Sequence, residues 1–111
     1  MATLYQLHST MDRLRRSTEE MALTWRAGDS IILLGATVAF IEWLHAYLSD
    51  SDSDIEGIAG IYALADDVAQ LSNNTTAKLN LNAKLTGVLT DDDWVTMTQD
   101  PQFDKVVTIA L

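Results

Sequence analysis

The stretch Gly28-Asp29-Ser30-Ile31-Ile32-Leu33-Leu34-Gly35 constrains the fold more than any other. Four consecutive apolar residues between turn glycines read as a strand buried on both faces, inside a sheet and not on its edge. Such a strand needs cover above and below. Ala36 to Leu48 supplies a helix at once, so the local unit is strand, tight turn, helix.

The rest of the chain repeats that unit. Thr3 to His8 reads as the first strand, with its C-terminal end at His8-Ser9. The helix that follows has two possible starts. The Ser17-x-x-Glu20 spacing is that of a capping box, whereas the stripe Met11, Leu14, Thr18, Met21, Ala22, Trp25 carries the helix back to Ser9. The second helix is placed at about Thr37 to Leu48, and Ser49 to Asp54 reads as a solvated linker. Ile58 to Leu64 is a second central strand, followed by a short helix from Asp66 to Leu71 that the run Ser72 to Thr76 breaks. Leu79 and Leu81 alternate with polar residues. Leu85 to Leu89 forms a weaker fourth strand. A helix capped at Thr90-Asp91-Asp92-Asp93 runs until Pro101 stops it, and Lys105 to Leu111 is a last, β-branched strand. At 111 residues this is one domain over residues 1–111: an α/β fold with an open, mostly parallel five-stranded sheet and helices on both faces.

Composition removes several function classes. There is no cysteine, which excludes disulfides, zinc–thiolate sites, thiol nucleophiles and persulfide carriage on this chain. A formal charge of −9 disfavours direct binding to nucleic acid, which depends on Lys and Arg contacts to phosphate, and favours a basic partner. No apolar run reaches the roughly 18 residues of a membrane span, and no signal pattern opens the chain, so a cytoplasmic protein without membrane attachment is expected.

Ligands of parallel sheets bind beyond the C-terminal strand ends. That rim carries His8-Ser9, Gly35-Ala36-Thr37, Ala65-Asp66-Asp67 and Thr90 to Asp93. Asp66, Asp67, Asp91, Asp92 and Asp93 resemble a pocket for magnesium or a phosphoacceptor, as in a small metal-dependent enzyme or receiver-like regulatory domain. Each also stands where a helix N-terminus favours an anion. The first strand lacks the acidic pair a receiver domain needs. His8 has no thiol to activate, and no nucleophile elbow, dinucleotide fingerprint or phosphate loop is present. Asp50, Asp52 and Asp54 have calcium-loop spacing, but Ile55 and Ile61 stand where that loop needs glycine and glutamate. No catalytic residue, cofactor or metal ligand is assigned.

The second helix has more apolar surface than one sheet face can cover. Val38, Ile41, Leu44 and Leu48 form one stripe, and Ala36, Phe40, Trp43 and Tyr47 another. Aromatic edges lying under neighbouring loops would account for the second stripe. We favour contact with another subunit, with Phe40, Trp43, Tyr47 and the nearby His45 as the candidate interface.

The segments Leu4-Tyr5-Gln6-Leu7-His8-Ser9, Gly28 to Leu34 followed by Val38, Tyr62-Ala63-Leu64-Ala65-Asp66-Asp67 and Thr90-Asp91-Asp92-Asp93-Trp94-Val95 resemble the TusB/DsrH family of sulfur-relay subunits over nearly the whole chain. The resemblance implies a DsrE/F/H-like fold. It also implies TusC-like and TusD-like partners in a heterohexamer that relays persulfide sulfur toward 2-thiolation of the wobble uridine of tRNA, on a cysteine of the TusD-like subunit. The chain departs from the family pattern at Ala36-Thr37, where Asp-Gly is common, in lacking the Arg-Gly after the third-strand helix, and at Leu111, where an aromatic is common. The DsrH branch carries a cysteine, so its absence points to the TusB branch and a structural role.

Overall fold

A computed structural model describes residues 2–48, 55–71 and 85–110. The expected linker at Ser49 to Asp54, the break at Ser72 to Thr76, the Leu79/Leu81 alternation and the terminal Leu111 lie outside the described residues.

Five strands form one sheet in the order β4-β3-β2-β1-β5, all parallel: β1 (Ala2–Leu7), β2 (Ser30–Leu33), β3 (Gly60–Leu64), β4 (Gly87–Leu89) and β5 (Phe103–Ile109). The two strands expected to be central are so. β2 pairs with β1 and β3, and every one of its residues is buried; β3 pairs with β2 and β4. The short Gly87–Leu89 segment is an edge strand, in keeping with its weak pattern.

From β1 to β4 the chain steps outward in one direction, and β5 then returns to the far side of β1. Right-handed crossovers in opposite directions lie on opposite faces of a sheet. The packing follows that rule. α1 (Met11–Ala22), the 3₁₀ turn Gly35–Phe40, α2 (Ile41–Leu48) and α3 (Ala65–Ala69) cover the first face, where Leu14, Met21, Val38, Ile41 and Leu44 pack on Tyr5, Leu7, Ile31, Leu33 and Ala63. α4 (Asp91–Thr98), on the β4-to-β5 connection, covers the second face, where Trp94 and Met97 pack against a cluster of Leu4, Ile32, Leu64 and Leu89. The direction of winding therefore switches between β1 and β5.

The structure decides the open start of one helix and divides another. α1 starts at Met11 with Thr10 as its N-cap, the earlier of the two possible starts, and Ser17 is no cap. Ser17 is fully buried in the stripe Leu14, Ser17, Thr18, Met21. Its hydroxyl donates to the Arg13 carbonyl and bonds the Ser9 hydroxyl, so it is committed inside the helix. The segment from Thr37 to Leu48 is not one α-helix but a 3₁₀ turn leading into α2. Its beginning is tied to the rim: the Thr37 hydroxyl accepts from the Ser9 N–H (2.9 Å) and donates to the Ser9 carbonyl (3.1 Å).

Candidate functional site

The rim at the C-terminal strand ends divides into two parts. Beside the switch point, the His8 N–H donates to the Ile109 carbonyl at 3.0 Å and its side chain is exposed. Gly35 lies under the ring, where a Cβ would stand 2.8 Å from His8 Nε2 and push the exposed imidazole aside; its φ of +59° is the feature that favours glycine. The Gly35 N–H donates to Asp67 Oδ2 at 2.8 Å. Asp67 is thereby a structural acceptor that fixes the turn after β2, and α3 carries it there.

Toward β4, Asp66, Asp91 and Asp92 meet at one cavity of about 400 Å³ that Ala65 and Thr90 also line. Of the five rim aspartates, these three line the same cavity. Asp93 is withdrawn into the cap of α4: its N–H donates to Thr90 Oγ1 at 3.1 Å and its carboxylate accepts from the Thr90 N–H at 3.3 Å. Among the described residues, no three His, Cys, Asp or Glu side chains stand close enough together to hold a metal ion. The cavity is acidic without being a preformed coordination sphere.

The aromatic stripe of α2 occupies a middle position between core and surface. Phe40, Trp43 and Tyr47 are half-buried, each packed partly against the main core, while His45 and Glu42 beside them are exposed. The Trp43 and Tyr47 rings stack with centroids 5.3 Å apart and planes 18° from parallel. Such a pair, one turn apart on a helix, presents a flat, stiff apolar surface whose other side is held by the core.

Sequence reasoning missed the polar residues that hold the sheet together. Asp29, 1% exposed, accepts from the Thr3 N–H at 2.8 Å through Oδ1 and from the Arg26 N–H at 2.9 Å through Oδ2, joining the loop before β2 to the start of β1. Next to a glycine it reads as an ordinary turn residue, and no local signal marks it as buried. Gln6, on the second face, accepts from Trp94 Nε1 at 2.7 Å and donates to Thr108 Oγ1 at 3.0 Å. Its one sequence signal is a polar residue in the middle of an apolar strand.

No protein-family model matches the sequence, and no curated protein matches it. Among the described residues no helix is long and apolar enough to cross a membrane.

Proposed function

We propose that this chain is a non-catalytic structural subunit of a cytoplasmic TusBCD-like sulfur-relay complex supporting 2-thiolation of the wobble uridine of tRNA. In that reading TusC-like and TusD-like neighbours dock on α2. The observation that carries it is the stacked Trp43–Tyr47 pair, half outside the core on a helix whose opposite stripe, Val38, Ile41 and Leu44, already meets the sheet. Large rigid aromatics with one side supported and the other exposed are typical interface anchors. The chain has no thiol, so any persulfide in such a complex resides on a neighbour. Co-expression with the sulfur-relay subunits of the same genome, followed by size-exclusion chromatography, tests the reading. Co-elution with a TusC-like or TusD-like chain supports it, and elution apart from all of them refutes it.

A second reading rests on Asp66, Asp91 and Asp92 lining one cavity: it is a small metal-dependent protein whose divalent cation would be held there through water, since the three carboxylates do not stand close enough to coordinate it together. A cation bound only to the native state raises the melting temperature by mass action. A rise with magnesium or manganese that Asp66→Asn removes would favour it, and a flat titration would eliminate it.

A further inference from the structure

The end of the sheet opposite the acidic cavity has a groove with the marks of a self-complementary surface. Two cavities of about 400 and 370 Å³ lie between β5 and the C-terminal end of α1 with the segment that follows it, and share Tyr5, Thr24 and Val107 in their walls. Their floor is preformed. Tyr5 is buried, its hydroxyl bonds that of Thr24 at 2.7 Å, and its ring packs at 5.5 Å against Trp25, whose indole N–H is held by the Glu56 carbonyl at 2.7 Å. Among the described residues β5 is the last strand of the sheet, paired with β1 alone.

Three features indicate what covers it. Glu20 lines the cavity at the Ala110 end of β5. Arg26 and Lys105, only partly offset by Asp104, line the cavity at the other end. Leu23, on the wall of that second cavity, is 78% exposed, the most exposed large apolar side chain among the described residues. A surface with opposite charges at its two ends, a hollow between them and a projecting leucine fits an inverted copy of itself. A two-fold axis brings each negative end to the other's positive end and each leucine to the other's hollow.

We propose that the α1/β5 groove seats a second copy of this chain in an isologous dimer, with Leu23 entering the partner's groove and Glu20 facing Arg26 across the axis. This surface is separate from the aromatic stripe of α2 and does not depend on the function proposed above.

Sedimentation equilibrium of the purified full chain over a range of concentrations tests it. The expected result is a concentration-dependent rise from 12.2 kDa to twice that mass. Leu23→Asp should weaken association by about tenfold or more, the effect of removing one strong interface anchor. Glu20→Lys and Arg26→Glu should each weaken it, and the two together should restore it, because the swapped charges face each other again. All three positions are exposed, so an unchanged far-UV circular dichroism spectrum, with equal melting temperatures at concentrations where wild type and variants are all monomeric, serves as the folding control. A wild type that stays at monomer mass overturns the proposal, as does a dimer insensitive to Leu23→Asp or a charge-swapped double variant no better than the single ones.

Discussion

The two faces of the sheet are closed by different means. On the first face, α1, α2 and the 3₁₀ turn before it bring Leu14, Met21, Val38, Ile41 and Leu44, all fully buried, onto the inward residues of β1, β2 and β3. On the second, α4 alone among the described helices meets the sheet, with half-buried Trp94 and Met97 and a hydrogen bond from the indole to Gln6. The first face is held by volume, the second by a few placed contacts. The reason is topological: the β1-to-β2 and β2-to-β3 crossovers, and α3 after β3, pack on one side, and α4 on the return to β5 packs on the other. A parallel sheet wound this way has one face with helices to spare, and that is where an additional apolar stripe, Phe40, Trp43 and Tyr47, can be carried without stripping the core.

This contrast can be broken by substitution. Leu44→Ala on the first face should cost about 2–5 kcal/mol of unfolding free energy in urea titration, because a fully buried side chain is removed from a packed site. Met97→Ala on the second face should cost clearly less; an equal loss would mean that α4 is packed as tightly as α2. Trp94→Phe keeps an aromatic ring, though a smaller one, but leaves Gln6 Oε1 without its donor, and should cost about 1–3 kcal/mol. Adding Gln6→Leu should recover part of that loss, since replacing both polar partners is far less costly than orphaning one. Thr90→Ala removes the cap of α4 and should cost about 0.5–2 kcal/mol.

The smallest effect is a titration. The Thr10 hydroxyl donates to the Asp12 carboxylate in the first turn of α1 and, as the main cause, lowers the Asp12 pKa below its ordinary value; the neighbouring Arg13 acts in the same direction. Since the folded pKa is the depressed one, this contribution is present above the unfolded pKa and is lost as pH falls through the folded value. In an NMR titration Thr10→Ala should move the Asp12 pKa upward, and no movement would mean that the hydroxyl bond is not its cause.

How much of this was legible in the sequence depended on the kind of signal. Ile31 to Leu34 and Ile58 to Leu64 announced central strands because a strand buried on both faces has no alternative but an apolar run. Thr90 with Asp93 announced its own cap because capping is local. The Ser17–Glu20 pair carried the same local signature without the structure, since the stripe through Leu14, Ser17 and Met21 makes burial the stronger demand there. The five rim aspartates could not be sorted by spacing. Which line one cavity and which serve the backbone, as Asp67 does for Gly35 and Asp93 for Thr90, depends on contacts across the sheet. Asp29 and Gln6 were missed for the same reason: their partners lie 26 and 88 residues away.

The central claim is that the aromatic stripe of α2 is a docking surface and not simply part of the core. It is tested most directly by measuring Trp43→Ala twice: by the melting free energy of the isolated chain, and by its retention with co-expressed TusC-like and TusD-like subunits. A half-buried Trp43 should cost well short of the roughly 3–5 kcal/mol of a fully buried tryptophan, while retention falls by tenfold or more, the size of one strong interface anchor. A variant that loses the full core cost, or one that retains its partners as the wild type does, would contradict the account.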